Sequence, residues 1–356
     1  MRVLHVDTGR SWRGGQRQTL LHLRYLSDQG WDGMLLARPR SDLWQKARGS
    51  GVRCFPWPSG DGRISVMGIL WPVLLKFRPA LIQLNDSKGL LPILLWRRWF
   101  KAIKVIAVRR VLFPVDHLSI NRLYRPLDRI VCVSQAVHEQ MCRFGLIPDQ
   151  LKVIPDGADL DALKTRGDRI RTRRRLRIPE DGFHIGHVGR LSPEKGQEVL
   201  LEAANRLGSM PNLFFSFLGG GKRLSELTDR AQRLGIMERT RFLGHGEELN
   251  DYLASLDIYI QPSLTEGLGS AVIDAMANSL PVIGARVGGI PELLGGGAGV
   301  LVPPGDPQSL ADAIVRLQSD PDLCIRLGRT AFIRAQNYDF RKTNKRLLEL
   351  YRELLS

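Results

Sequence analysis

Two runs of strand–helix alternation, broken once between residues 155 and 180, dominate this 356-residue sequence. In the first run the segments 2–7, 32–38, 80–85, 104–108 and 129–134 read as strands, with helical periodicity at 16–28, 41–49, 64–78, 88–100 and 135–144. In the second, strands at 183–190, 213–219, 240–244, 257–263, 281–285 and 299–304 alternate with helices at 196–208, 222–234, 247–255, 270–278, 291–294 and 307–319. Strands separated by helices pair in parallel, because a parallel neighbour needs a crossover long enough to hold a helix. The pattern predicts an α/β fold of two Rossmann-like, doubly wound domains, 1–165 and 166–337. An amphipathic segment, 338–356, follows with Leu347, Leu350, Tyr351 and Leu354 on one face, fit to pack on either half. Ligands of open parallel sheets bind beyond the carboxyl ends of the strands, so two such domains facing a cleft would share a site there.

Four clusters fall at strand-to-helix junctions. In the richest, residues 261–292 (QPSLTEGLGSAVIDAMANSLPVIGARVGGIPE), Glu266 leads into a loop with Gly267, Leu268 and Gly269, and a helix starts near Ser270 and carries Asp274. Glycines let a backbone approach a ligand, and the free N–H groups of a helix start favour an anion. The two carboxylates suit hydroxyl groups, as on a sugar or ribose. In GRLSPEKGQE, Arg190 and Lys195 offer two cations on one loop, able to clamp a diphosphate or simply to stand in solvent. Gly219-Gly220-Gly221 opens the next helix, and Gly14-Gly15 the first one; each reads as a ligand-facing backbone or a plain turn. Asp159-Leu160-Asp161 has the spacing of a metal-binding pair, but it precedes a short helix and reads better as a cap.

Composition narrows the partners. The net charge of +16 selects negatively charged ones. Seven arginines lie within 166–177, and in 97–129 nine Lys or Arg face only Asp116 and Asp128. Within LLPILLWRRWFKAIK, Trp96, Trp99 and Phe100 interleave with Arg97, Arg98, Lys101 and Lys104, the make-up of a helix lying on an anionic membrane surface. No nucleic-acid-binding module is present, so that class of partner is excluded despite the charge. Cys54, Cys132, Cys142 and Cys324 are scattered, which argues for reduced thiols. With a strand pattern from the first residues and no apolar run of about 18 residues, the reading is a cytoplasmic protein, peripheral at most on the inner face of the cell membrane.

Taken together the clusters resemble the retaining glycosyltransferases of the GT-B fold, in the large family-4 group. The marks are Glu266-Gly267-Leu268-Gly269, the acid Asp274 eight residues after Glu266, Pro281-Val282-Ile283, and Gly288-Gly289-Ile290-Pro291-Glu292. Gly189 through Gly196, Ser134 and the IPDGAD stretch at 154–159 match as well, so the likeness covers essentially the whole chain. The resemblance implies a nucleotide diphosphate sugar as donor, with Arg190 and Lys195 on the diphosphate and Glu266 on the sugar hydroxyls. It puts the backbone of Leu268–Ser270 beside the sugar and phosphates, Asp274 on the ribose and Gly14-Gly15 on the diphosphate. The final segment is implied to return to the first domain.

The chain departs from that pattern twice. Asp274 stands where the family usually has Glu, one methylene longer. Arg109 stands where a histidine often ends the matching strand; an arginine is no base, but it can stabilise developing negative charge. The sequence thus predicts a metal-independent transferase without cofactor, moving a sugar to a glycan acceptor, lipid-linked or of lipopolysaccharide type. A nucleotide-sugar epimerase or a phosphorylase on the same fold, and a sugar-binding adaptor impaired in catalysis, are the alternatives.

Overall fold

A computed structural model describes residues 1–58, 63–164, 167–208, 210, 212–244 and 248–356. The chain forms two compact units: Met1–Gly157 with Phe340–Ser356, and Ala158–Asp339. The expected boundary at 165–166 lies outside the described residues, and the division falls at Gly157/Ala158 instead. Within the second unit Ala158 and Asp339 form a parallel bridge, so its first and last residues run side by side.

The first unit holds β1 (Arg2–Asp7), β2 (Asp32–Ala37), β3 (Arg53–Pro56), β4 (Leu81–Leu84), β5 (Lys104–Arg109), β6 (Arg129–Cys132) and β7 (Leu151–Val153). They make one parallel sheet in the order β3-β2-β1-β4-β5-β6-β7. The second holds β8 (Phe183–Val188), β9 (Leu213–Leu218), β10 (Thr240–Gly244), β11 (Ile258–Gln261), β12 (Val282–Ala285) and β13 (Val300–Val302), in the order β10-β9-β8-β11-β12-β13. Both orders reverse direction once, after β1 and after β8, the arrangement of a dinucleotide-type Rossmann sheet. The edge strands β3 and β7 escape the sequence reading, because four residues (RCFP) and three (LKV) are too short to show a period.

Burial explains the strand choice. Phe215, Phe217, Ile258 and Ile260 are fully buried and pack with Leu200, Leu201 and Ile314 of the covering helices. A parallel sheet covered on both faces needs such near-continuous apolar strands. The arginine-rich stretch is partly structural: in the helix Arg169–Leu176, Arg173 is buried and reaches Asp257 and the Ser255 carbonyl, while Arg169 pairs with Asp257 at 2.6 Å. Residue 166, the first arginine of the run, lies outside the described residues.

The C-terminal helix, Phe340–Leu355, belongs to the first unit and buries Leu347, Leu350 and Tyr351 against the helix Gly14–Asp28. A buried polar chain accompanies it. His22 meets Asn344 Oδ1 and the Tyr351 hydroxyl, each at 3.0 Å, and that hydroxyl donates to Gln83 Oε1 at 2.5 Å. Gln83 donates to Asn85 at 3.0 Å.

Burial holds several histidines neutral: His22 at about 3, and His184 and His187 at about 4. Unfolding frees them to titrate near 6.5. Between those values the unfolded chain binds more protons than the folded one, so stability falls as pH drops from about 6.5 towards 4. Calorimetry should show the melting temperature falling across that window as the unfolding free energy drops by up to about 1.4 kcal/mol per histidine per pH unit. A flat profile from pH 7 to 5 would contradict neutral burial.

Candidate active site

In the second unit the site residues gather at the carboxyl ends of β9, β8 and β11, three neighbouring strands spanning the reversal. The loop after β8 carries Arg190 and Lys195, the loop after β11 carries Glu266 to Gly269, and the loop after β9 begins with Gly219. Backbone packs on backbone here. A Cβ on Gly196 would lie 2.1 Å from the Pro262 carbonyl oxygen, and one on Gly219 would lie 2.2 Å from that of Gly189. Only glycine permits this approach, and both residues also adopt positive φ, +62° and +135°. Leu264 N–H donates to the Glu194 carbonyl at 2.9 Å, and Leu191 N–H to that of Gly220 at 3.0 Å, which ties the three loops together.

Three donors converge on one oxygen of Glu266. Lys195 Nζ reaches Oε2 at 2.6 Å, Ser263 Oγ at 3.1 Å and Gln261 Nε2 at 3.2 Å. Gln261 is itself held by the Tyr259 hydroxyl at 2.6 Å. Lys195 and Glu266 thus form an ion pair, where the sequence suggested two independent ligands. The Arg190 guanidinium is about half exposed and reaches Glu194 only at 3.4 Å. His187 orders the same loop: its Nε2 meets Gln197 at 3.2 Å, and Gln197 donates to the Arg190 carbonyl at 2.8 Å.

Gly269, at φ +101°, precedes the helix Ser270–Ala277, whose first turn has no side-chain cap. Val272 N–H donates to the Gly269 carbonyl at 2.9 Å, and the glycine cap leaves the approach to the start of the helix without a side chain, where an anion is favoured. The Leu268 side chain is buried and anchors the loop, and the Gly267 carbonyl accepts from Gly289 N–H at 3.2 Å, so the second glycine turn braces the first. Asp274 is buried within the helix. Asp159 accepts from Ala162 N–H at 3.1 Å, the capping geometry.

The first unit brings Gly14 and Gly15 to the start of the helix Gly14–Asp28, again without a side-chain cap. The arginine placed there is Arg110, whose Cδ would sit 3.6 Å from a Cβ on Gly15. Asp156 grips its Nε at 3.1 and 3.2 Å, and Asn85 Oδ1 accepts from it at 3.3 Å. Arg109, expected to stabilise developing negative charge, turns to the Tyr124 hydroxyl and the Phe113 carbonyl. Adjacent residues leaving a strand point to opposite sides, so the two arginines take different partners. Arg110, Asn85 and His187 carried no motif, while Asp156 belongs to the IPDGAD stretch, where no role fell to the aspartate from sequence alone. Gln261 and Ser263 did carry a signal, as alternating polar residues ending an apolar strand.

Two Rossmann-like units of this strand order define the GT-B class. Two family models divide the chain between them: "Glycosyltransferase Family 4" over residues 12–162 and "Glycosyl transferases group 1" over 168–334. The chain belongs to the family-4 glycosyltransferases of GT-B fold. Similar relatives named D-inositol 3-phosphate glycosyltransferase come from Saccharomonospora viridis and Corynebacterium jeikeium. The first is 33% identical over 64% of this chain and 56% of its own length; the second is 35% identical over 63% and 57%. The chain spans little more than half the length of these curated relatives. In fold it resembles the Anabaena protein HepE in complex with UDP-glucose, with TM-score 0.88 and 22% identity over 99% of this chain and all of that one. A glycosyltransferase from Rickettsia africae superposes at TM-score 0.87, with 18% identity over all of this chain and 98% of that one.

Gly219→Ala should destabilise the second unit by about 1–3 kcal/mol or more, through φ strain plus the clash with the Gly189 carbonyl. Gly235→Ala, at φ +67° with open space around it, should cost less. Urea unfolding of both variants checks this; equal losses would show that close approach is not what selects Gly219.

Proposed function

We propose that this chain transfers a sugar, with retention of anomeric configuration, from a nucleotide diphosphate sugar to a glycan acceptor. The observation that carries the reading is the convergence of Arg190, the Lys195–Glu266 pair and the uncapped helix start at Ser270 on one sheet edge, at its reversal point. Family membership and the likeness to a protein whose structure holds UDP-glucose support it.

In this mechanism bond cleavage places negative charge on the leaving diphosphate oxygen while the sugar becomes oxocarbenium-like. Arg190, Lys195 and the amides of Leu268, Gly269 and Ser270 stabilise that charge, and Gly219 keeps the adjoining loop close. Each charged donor contributes on the order of 3 kcal/mol to the transition state. The cations supply the neutralisation that a metal provides elsewhere, so the reading is metal-independent. Glu266, oriented through Oε2, accepts hydroxyl hydrogen bonds from the donor sugar, and Asp274 stands towards the ribose. In the first unit Gly14, Gly15 and Arg110 form a second anion-binding corner; Arg109 takes a supporting place behind it. The leaving oxygen accepts the acceptor's proton on the same face, so no separate base is needed. Arg190→Ala should lower kcat about 100-fold or more while acceptor KM changes little. Near-normal kcat in steady-state assays would remove Arg190 from this role.

For the acceptor, a lipid-linked glycan of lipopolysaccharide type at an anionic inner-membrane surface fits the charge and the aromatic surface of the first unit. Trp71, on the helix Arg63–Phe77, has its ring centre 4.9 Å from Trp96 and 5.8 Å from Phe100 in tilted contacts, and Trp96 lies 5.3 Å from Trp99. Trp71, Leu75, Leu95 and Trp99 are exposed, with Lys76, Arg98 and Lys101 around them. Rings at the rim of an apolar surface flanked by cations suit a headgroup layer. Co-sedimentation should show binding to anionic vesicles that weakens with Trp71→Ser plus Trp99→Ser. Equal binding to neutral and anionic vesicles would count against it.

A further inference from the structure

The Arg190 guanidinium is loosely held. Among the described residues its side chain makes one polar contact, to Glu194 at 3.4 Å. Its direction therefore depends on the backbone that carries it, and that backbone is fixed from inside the unit. Gln197, the fully buried first residue of the helix Gln197–Arg206, donates from Nε2 to the Arg190 carbonyl at 2.8 Å. The same Nε2 lies 3.2 Å from Nε2 of His187, also fully buried. Ser192 Oγ adds a longer contact to that carbonyl, at 3.4 Å.

Donor and acceptor chemistry places each proton in this chain of groups. A carbonyl oxygen only accepts, so the Gln197 atom facing Arg190 is the amide nitrogen. An amide nitrogen only donates, so His187 Nε2 is the bare, accepting nitrogen of a neutral ring. The ring proton then sits on Nδ1, 3.0 Å from the Ile260 carbonyl, which accepts it. Burial, with Lys195 nearby, keeps the ring neutral: its pKa is lowered to about 4 in spite of the bond to Ile260. The reverse orientation of the amide would set the Gln197 oxygen against the Arg190 carbonyl, two acceptors face to face. A Cβ on Gly189 would lie 3.0 Å from His187 Nε2, so a glycine there leaves the ring its place. Ile260 on β11 is thus joined to Arg190 on the loop after β8 through one tautomer and one amide orientation.

We propose that His187 and Gln197 are positioning residues for Arg190: the ring, protonated on Nδ1, locks the amide, and the amide holds the Arg190 carbonyl so that the guanidinium meets the donor diphosphate. This rests on the transferase reading and extends it to two buried residues that act through Arg190.

A nucleoside diphosphate carries the charge that the leaving group acquires, so its affinity reads the Arg190 contact whatever the sugar and acceptor. Titration calorimetry with the tightest-binding of UDP, ADP and GDP should show Arg190→Ala weakening affinity about tenfold or more. Gln197→Met, similar in length but without an amide, should weaken it about threefold to tenfold, and His187→Leu likewise. In Arg190→Ala/Gln197→Met the loss should stay within about twofold of that in Arg190→Ala alone, because positioning has no effect once the positioned group is gone. Multiplied losses in the double variant, or wild-type affinity in both Gln197→Met and His187→Leu, would overturn the assignment. Heteronuclear NMR of the wild-type chain needs no variant to fold: His187 should show a protonated Nδ1 and a bare Nε2 near neutral pH, and the opposite tautomer would also overturn it. Absence of binding by all three nucleotides would instead overturn the transferase reading, and the positioning role with it.

Discussion

The candidate site depends on three loops lying closer to one another than side chains allow. At Gly196 against Pro262 and Gly219 against Gly189 the backbones leave no room for a Cβ. That proximity brings a lysine from the β8 loop and a glutamate from the β11 loop within 2.6 Å, though 71 residues separate them in sequence. The reversal of strand order beside β8 opens the sheet edge there, since consecutive crossover helices diverge to opposite faces. A helix start capped by a glycine, with no side chain over it, then lies at that gap. Loop packing, ion pair and helix terminus together make the candidate site on which the transferase proposal rests.

The first unit repeats the plan with different chemistry. Its anion corner pairs the Gly14 helix start with Arg110, and Asp156 and Asn85 fix that arginine from two sides. Asn85 in turn ends the polar chain running from His22 through Tyr351 and Gln83. The C-terminal helix, through Asn344 and Tyr351, is thereby joined to the corner by hydrogen bonds as well as by its apolar face. Loss of that helix would leave His22 and Gln83 buried with fewer partners, a costly state for polar groups in an apolar interior.

Much of this was legible in advance. Alternating apolar and helical segments located most of the strands, since a parallel sheet buried on both faces demands continuous apolar runs that stand out in sequence. Arg190, Lys195, Glu266 and Gly269 were legible because glycine at a helix start and charge on a strand-end loop are local signals. What stayed hidden was relational. The pairing of Lys195 with Glu266, the hold of Asp156 and Asn85 on Arg110, and the place of His187 behind Gln197 all join residues from different segments, and no local period records them.

The sequence alone determined the two-sheet α/β plan, the location of the anion-binding turns and the cationic, aromatic character of the first unit, because each follows from short-range spacing and residue type. Tertiary structure decided which arginine faces the Gly14 helix, that Lys195 pairs with Glu266 while Arg190 lies half exposed beside Glu194, and that Trp71 joins the rings near Trp96. These outcomes depend on strand order and on the direction in which each side chain leaves its backbone, and both are settled only when separate segments pack.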